Sequence, residues 1–150
     1  MRLIAFAIAL AIMIPAATAG DLMVVKPSKY SVAKTIDRLS AVLKKKGITI
    51  FARVDHAAGA QKVGLEMAPT ELLIFGNPKM GTPLMQSNRQ IAIDLPMKAL
   101  AWRDEAGNVW LGYVRPEVLK NRHAISDRDA VFAKMAGALA KLTDAAAGGS

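Results

Sequence analysis

The stretch from Thr70 to Met85 reads TELLIFGNPKMGTPLM and carries the signals that decide the fold. An apolar run from Leu72 to Phe75 is typical of a buried strand, and the cluster Gly76-Asn77-Pro78-Lys79 predicts a turn directly after it. From Thr82-Pro83 onward the pattern becomes helical, because proline is tolerated in the first turn of a helix. The stretch therefore predicts a strand, a turn and a helix in succession.

Capping residues and apolar spacing also predict the strands and helices on either side of this stretch. Ser31 and Asp55 are predicted to cap two helices, and Ser126-Asp127-Arg128-Asp129 resembles a capping box. The predicted strands are Leu22–Val25, Ile48–Val54, Glu71–Phe75, Met97–Trp102 and Val109–Val114. The predicted helices lie between Ser31 and Gly47, from His56 to about Val63, from Thr82 to Asp94, over Pro116–Asn121, and along the stripe Phe132, Met135, Leu139 and Leu142, with Ala145–Ser150 as a frayed tail.

The order of these elements is β-α-β-(α)-β-α-β-β-α. Helices mix with neighbouring strands without a regular βαβ repeat, and two β-rich runs flank a Gly107-Asn108 turn as in a hairpin. We therefore expect an α+β fold, in which a single-layer, mainly antiparallel sheet has helices packed on one face.

Composition excludes several classes of chemistry. The chain has 150 residues, 53% of them hydrophobic, with a formal net charge of +8, two histidines and no cysteine. The absence of cysteine excludes a disulfide scaffold, a zinc–thiolate site, an iron–sulfur cluster and a cysteine nucleophile. The positive charge by itself indicates a well-solvated surface.

The first residues predict export. Arg2 precedes an apolar run over residues 3–14, Pro15 ends that run, and Ala17-Thr18-Ala19 forms a small-residue cleavage site. This order of charge, apolar core and small residues is typical of a secretory signal peptide, and the run is shorter than the ~20 residues of a membrane span. We expect residues 1–19 to be a signal peptide and residues 20–150 a single periplasmic or secreted domain. The protein would then have no stable membrane anchor after cleavage and no nucleic-acid partner.

The segment between the third strand and the next helix is a candidate ligand-binding loop. Backbone N–H groups at such a position can hold an anion. A nucleotide-binding P-loop requires lysine directly after its second glycine, whereas Thr82 follows Gly81 here. The alternatives are a plain strand-to-helix turn and a loop that contacts another ligand. The candidate residues in this loop are Gly76, Asn77, Pro78, Lys79, Gly81, Thr82 and Met85.

Two further side chains are candidates for the site. His56 follows a predicted strand at a predicted helix start, where the helix dipole favours a neutral imidazole that could act as a base or bind iron. Asp94 is a lone carboxylate in an apolar setting, suited to ligand binding or to capping backbone amides. His123 is expected to be solvated. We identify no catalytic constellation, because no serine elbow or paired acid is visible.

Methionines and tryptophans admit both structural and functional interpretations. Met80, Met85 and Met97 could bind monovalent copper through their thioethers, although methionine usually fills gaps in a core. Trp102 and Trp110 could face a pocket, but cross-strand packing explains them equally well. We predict no metal site from these residues, and His56 would be the ligand if haem is bound.

The stretch from Thr70 to Met85, together with Val54-Asp55-His56-Ala57-Ala58 and the run from Ile91 to Lys98, resembles the bacterial family called domain of unknown function 302 (DUF302). The resemblance covers about residues 22–145. It implies a compact α+β domain that pairs as a homodimer, with no agreed activity. It also implies haem as a candidate cofactor, with His56 at the family's histidine position.

Four functional hypotheses follow. The first is a non-enzymatic, exported binding module for a small ligand, and the second is a haem-binding sensor or electron-transfer protein that uses His56. The third is an enzyme with His56 as general base near Asp94. In the fourth, the motif only stabilises a dimer.

Overall fold

A computed structural model describes residues 22–149. The predicted signal peptide at residues 1–19 lies outside the described residues. The strands are β1 (Met23–Ser28), β2 (Thr49–Asp55), β3 (Thr70–Gly76), β4 (Met97–Arg103) and β5 (Val109–Val114). The helices are α1 (Val32–Lys45), α2 (His56–Lys62), α3 (Pro78–Ser87), α4 (Pro116–Arg122) and α5 (Asp129–Ala147), with a 3-10 helix at Arg89–Ile93.

The five strands form one antiparallel sheet in the order β1-β5-β4-β3-β2. The predicted α+β class is therefore confirmed, including the hairpin of β4 and β5, in which Trp102 pairs with Trp110. The first strand does not end at Val25 as predicted but continues past Pro27. Pro27 lies within β1, because β1 is an edge strand and proline is tolerated where no ladder hydrogen bond is needed.

The two faces of the sheet differ. On one face Leu73, Ala99 and Leu111 are buried together with α1 and α5, since alternate residues of a strand point to opposite sides. The other face carries half-buried apolar side chains such as Leu72 and Leu100, with exposed Val25, Val54 and Val114 among them. We call this the open face, and its apolar members are Met23, Val25, Val54, Leu72, Ile74, Leu100, Trp102, Trp110 and Val114.

Helix α1 forms as its sequence predicts. The Ser31 hydroxyl accepts a hydrogen bond from the backbone N–H of Lys34, which satisfies one of the free donors in the first turn. Ile36, Leu39 and Leu43 repeat at helical spacing and are fully buried. Burial of this apolar stripe fixes α1 against the sheet, and basic residues in its last turn complement the helix dipole.

Helix α3 begins four residues before the predicted start at Thr82. Asn77 caps it by accepting a hydrogen bond from the backbone N–H of Lys79, and Pro78 occupies the first helical position. Both residues are turn formers, which is why the sequence indicated a turn, but asparagine and proline in this order are also a helix start. Pro83 lies inside α3, and the chain then tightens into the separate 3-10 helix.

Helix α5 differs from the expectation at both ends. Its N-cap is Arg128, without a side-chain capping bond, so the predicted capping box does not form. At the other end the predicted frayed tail is helical through Ala147. Arg38 donates hydrogen bonds to the carbonyls of Ala145 and Ala146, which binds the last turn to α1. No helix among residues 22–149 is long and apolar enough to cross a membrane.

Candidate functional site

A cavity of about 420 Å³ lies at the end of the sheet where β3 ends and β4 begins. Phe75 and Gly76 are the last residues of β3, and Met97, the first residue of β4, pairs with Phe75. All three line the cavity. The segment Leu95-Pro96, joined by a cis peptide bond, forms another part of the wall. This volume falls in the range of small-molecule pockets, about 300–1,000 Å³.

Helix α3 supplies one side of the cavity through a single helical face. Pro78, Gly81, Thr82 and Met85 recur at the spacing of residues that share a face, and all four line the cavity. At Gly81 there is room for a methyl group at ordinary contact distance, since a Cβ there would lie 3.6 Å from Cδ1 of Leu95. Six of the seven candidate loop residues line the cavity, namely Gly76, Asn77, Pro78, Gly81, Thr82 and Met85.

Lys79 is the exception among the loop candidates. Its side chain is exposed, and it does not line the cavity. Its backbone N–H donates to the Asn77 side chain, and the N–H groups of Met80 and Gly81 donate to the Asn77 carbonyl. The amides expected to hold an anion in this loop are therefore occupied by Asn77.

A bulge in β2 supplies an aromatic wall. Ile50 pairs with Phe75 and Ala52 pairs with Ile74, so Phe51 between them has no partner on β3. Bulges redirect the side chain of the extra residue. The Phe51 ring lines the cavity while 56% of the residue remains exposed. The sequence predicts a continuous strand over Ile48–Val54 and gives no sign of this bulge.

Helix α5 covers the remaining side with Met135, Ala138, Leu139 and Leu142. Sequence reasoning placed Met135, Leu139 and Leu142 on the apolar stripe of a core helix, and they are indeed buried. Their contribution to a cavity was missed. Helical periodicity identifies the buried stripe but does not show that one part of it lacks a packing partner.

The described residues of the lining are rich in methionine and include no titratable side chain. Met80, Met85, Met97 and Met135 contribute flexible thioether side chains that adapt to the shape of an apolar ligand. None of the described residues that line the cavity is an Asp, Glu, Lys, Arg or His. This cavity can therefore exclude water and bind apolar groups, but its own side chains offer no general acid or base.

The structure places His56 and Asp94 at opposite ends of the sheet. His56 is exposed at the first position of α2, directly after β2, whereas Asp94 precedes β4 beside the cavity. From Phe51 to His56 the strand spans roughly 16 Å at ~3.3 Å per residue. The two side chains are not brought together, so they do not form the acid–base pair of the third hypothesis.

The distance of His56 from the cavity also decides whether this histidine can ligate a haem bound there. An imidazole at the far end of β2 does not reach an iron bound in the cavity, and no histidine is among the described residues that line it. Within residues 22–149 no group of three or more His, Cys, Asp or Glu side chains is placed to hold a metal ion. The cavity therefore does not fit a haem ligated by His56.

Asp94 has a different partner, which sequence reasoning did not identify. Its Oδ2 lies 2.6 Å from Nε2 of His123, and Arg122 donates to the same carboxylate at 3.1 Å. His123, expected to be solvated, is 8% exposed, because α4 ends against this turn and Asn88 donates to its backbone carbonyl. The cluster holds Asp94 next to Leu95, at the back of the cavity wall.

Comparison with known proteins agrees with the fold. The sequence pattern of the family described as "Domain of unknown function DUF302" matches residues 24–142. The chain belongs to the DUF302 family. The resemblance drawn from the Thr70–Met85 stretch is therefore confirmed.

A solved DUF302 structure shares the architecture. The crystal structure of an uncharacterized conserved DUF302 protein from Bacillus stearothermophilus superposes with a TM-score of 0.76 and 21% sequence identity. The match covers 83% of this chain and 98% of that one. At this identity the likeness shows a common fold alone.

The curated relatives are longer proteins. The chain is 46% identical over 127 residues to "Fluoride-specific ion channel FluC 1" of Brucella suis, a match that covers 84% of this chain and 50% of the relative. A match of the same identity to "Fluoride-specific ion channel FluC 2" of Brucella melitensis covers 47% of that relative. The chain thus spans about half the length of the curated relatives that it matches.

Proposed function

We propose that this DUF302 protein is a non-enzymatic binding module that holds a small apolar ligand in the cavity between α3, α5 and the end of the sheet. The proposal rests on the cavity, which has a volume of about 420 Å³ and has no titratable side chain among the described residues that line it. Desolvation of an apolar ligand by such a lining is favourable by about 25 cal/mol for each Å² removed from water. The lining thus favours retention of a ligand over a reaction on it.

The architecture of the wall supports this proposal. Four of the residues predicted to contact a ligand, Pro78, Gly81, Thr82 and Met85, lie on one face of α3 and line the cavity together with Phe51. Methionines adapt to ligands of differing shape, which is why they recur at promiscuous apolar binding surfaces. The end of the sheet and the adaptable methionine side chains together form an apolar site that can fit ligands of differing shape.

The test uses Ala138, which lines the cavity and is itself exposed. An Ala138→Trp side chain fills the opening from α5 without entering the buried stripe of that helix. The probe is N-phenylnaphthylamine, a neutral dye whose fluorescence rises in apolar surroundings. We expect the wild type to bind the dye and the Ala138→Trp protein to bind it at least about tenfold more weakly, as blocking an apolar pocket removes the burial that drives binding.

The matched control is Ala133→Trp. Ala133 is also an exposed alanine of α5, but it does not line the cavity. This variant should bind the dye as the wild type does. Absence of dye binding by the folded wild type, or equal loss in the two tryptophan variants, would refute an apolar ligand in this cavity.

A second proposal rests on the longer relatives. We infer that this protein acts together with a membrane channel of the fluoride class, because a 46% identical sequence makes up about half of chains named as fluoride-specific ion channels. Two modules in one chain meet at high effective concentration, which favours joint action. Residues 22–149 contain no membrane-spanning helix, so we assign conduction in those relatives to the half that this chain does not match.

Fluoride tolerance tests this second proposal. Deletion of the gene for this chain in its own host should lower the fluoride concentration that arrests growth, and the wild-type gene should restore it. Growth in chloride at equal concentration is the control. Unchanged fluoride tolerance in the deletion strain would remove the link to the channel.

We also propose that the protein is exported to the periplasm and forms a homodimer through its open face. Intact mass of protein from its host would begin at Gly20 if the signal peptide is cleaved after Ala19. The apolar open face supports self-association, since patches of this kind on a sheet mark interaction surfaces and a two-fold axis lets one surface cover itself.

A further inference from the structure

The opening of the cavity is defined by the lining residues that remain exposed. These are Phe51 on β2, Pro78 and Thr82 on α3, and Ala138 on α5. Side chains next to them lie at the boundary between the apolar interior and water. The charge at this rim therefore decides which polar group a bound apolar molecule can carry.

Lysines flank the opening on helix α5. Lys134 lies four residues before Ala138 and Lys141 three residues after it, spacings that place all three on one face of a helix. Both lysines are exposed. Their spacing therefore places both lysines on the same side of α5 as Ala138, which lies at the cavity opening.

Helix α3 adds a third lysine. Lys79 lies three residues before Thr82, which places it on the same face of α3 as this exposed lining residue. Together Lys79, Lys134 and Lys141 form a basic rim on two sides of the cavity.

The basic rim is not neutralised by carboxylates of the described chain. Elsewhere lysines find acidic partners: Lys26 pairs with Asp144 and Lys120 with Asp129. Between residues 22 and 149, no ion pair joins a carboxylate to Lys79, Lys134 or Lys141. The rim thus leaves positive charge next to an apolar cavity.

We propose that the ligand is a fatty-acid anion, with its alkyl chain in the cavity and its carboxylate at the basic rim. This inference rests on the proposed function and specifies its ligand. A cavity of ~150 Å³ holds one benzene ring, so one of about 420 Å³ accepts a single alkyl chain of medium length. Lysine ammonium groups attract a carboxylate at the rim, where a neutral or cationic headgroup gains nothing.

The test compares ligands that share one alkyl chain and differ only in charge. Dodecanoate, dodecanol and dodecyltrimethylammonium are titrated into the full chain by calorimetry, each below its micelle concentration. We expect dodecanoate to bind about tenfold more tightly than dodecanol, because each exposed charge pair adds only a modest gain. The cationic analogue should bind most weakly.

The variant Lys79→Gln/Lys134→Gln/Lys141→Gln removes the basic rim. The matched control Lys29→Gln/Lys34→Gln/Lys62→Gln removes the same charge from exposed lysines near the start of α1 and the end of α2, at the other end of the sheet. The rim variant should bind dodecanoate about tenfold more weakly and dodecanol unchanged, while the control variant should match the wild type for both.

The outcomes separate the two proposals. If dodecanol binds as tightly as dodecanoate, or if the rim variant keeps full dodecanoate affinity, the anionic ligand is wrong while the apolar cavity stands. If the folded wild type binds neither dodecanoate nor dodecanol, the proposed function fails as well.

Discussion

Nε2 of His123 lies 2.6 Å from Oδ2 of Asp94, and this contact joins the end of α4 to the turn that leads into β4. Both side chains are largely shielded from water, with 7% and 19% of their surface exposed. A hydrogen bond to a charged group contributes about 1.5–3 kcal/mol. The pair therefore holds the turn behind Leu95, which is part of the cavity wall.

Replacement of His123 should lower the stability of the fold, whereas replacement of His56 should not. We expect His123→Ala to lower the free energy of unfolding by about 2 kcal/mol, since Asp94 loses a buried partner. His56→Ala, at an exposed position, should change it by less than about 0.5 kcal/mol. Urea denaturation measures both. Equal effects of the two substitutions would contradict the structural role of the His123–Asp94 pair.

Two helical glycines allow stability and ligand binding to be separated. Gly81 lies within α3 at the cavity, and Gly137 lies within α5, where an added Cβ would meet nothing within 4 Å. Alanine should raise the stability at either position by about 0.5–1 kcal/mol, because it loses less backbone entropy on folding. Only Gly81→Ala should also weaken dye binding, since its methyl group enters the cavity. Thermal unfolding and dye titration of both variants check this, and equal dye affinity in the two would argue against the assigned cavity wall.

Local patterns predicted most of this fold because each element carries its own signal. The cap Ser31 and the helical spacing of Ile36, Leu39 and Leu43 define α1 without reference to any tertiary contact. The errors fall where tertiary contacts decide. Ala145–Ala147 read as a loose tail because the hydrogen bonds from Arg38, more than 100 residues away in the chain, have no local signature.

The candidate site was predictable in part for the same reason. The loop after β3 was identified because a strand, a capping asparagine and glycines occur in sequence, and most of that loop lines the cavity. The opposite walls come from Phe51 and from α5, which are distant in sequence. A bulge at Phe51 depends on pairing with β3, and the space beside Met135 depends on how α3 and α5 pack. Neither is encoded in a local periodicity.

The tip of the β4–β5 hairpin should lose stabilisation as the pH falls. Trp110 Nε1 donates a hydrogen bond of 2.8 Å to Oδ2 of Asp104, and this bond lowers the pKa of Asp104 below its ordinary value of 3.8, with further help from the Asn108 amide. The folded pKa is below the unfolded one, so the stabilisation is present above the unfolded pKa and is lost as the pH falls through the folded pKa.

We therefore expect wild-type stability to fall more steeply between about pH 5 and pH 2 than that of Asp104→Asn, which cannot ionise at this position. Urea denaturation followed by tryptophan fluorescence at a series of pH values measures the difference. A constant difference in stability between the two proteins across this range would show that the Trp110 bond does not depend on the charge of Asp104.

The open face yields a prediction about assembly. Leu100 lies on β4 in the middle of this face, so a second copy packed across it must cover Leu100. Leu100→Lys should convert a dimer to a monomer, because a buried unpaired charge is costly. Val63→Lys is the control, since Val63 is an exposed apolar residue outside the sheet. Light scattering after size exclusion gives the mass. A monomeric wild type at high concentration, or a dimeric Leu100→Lys protein, would refute self-association through this face.

The stability of the fold should depend on Arg53, because this residue pairs with Glu71, a buried carboxylate on the helix-covered face of the sheet. Glu71 is 7% exposed, and its Oε2 accepts a hydrogen bond of 2.6 Å from Nε of Arg53. This bond is the main reason that the pKa of Arg53 is raised above its ordinary value. Asp37, much more exposed, accepts from the same guanidinium at 2.7 Å.

Loss of Arg53 leaves Glu71 buried without its cation, whereas loss of Asp37 removes only an exposed partner. We expect Arg53→Leu to lower the free energy of unfolding by about 3 kcal/mol and Asp37→Ala by no more than about 1 kcal/mol. The double variant Arg53→Leu/Glu71→Leu should recover much of the loss, because it removes the unpaired charge as well. Denaturant unfolding of the three variants gives these values. If the double variant is no more stable than Arg53→Leu alone, the cost lies in lost packing of the arginine side chain and not in the buried charge.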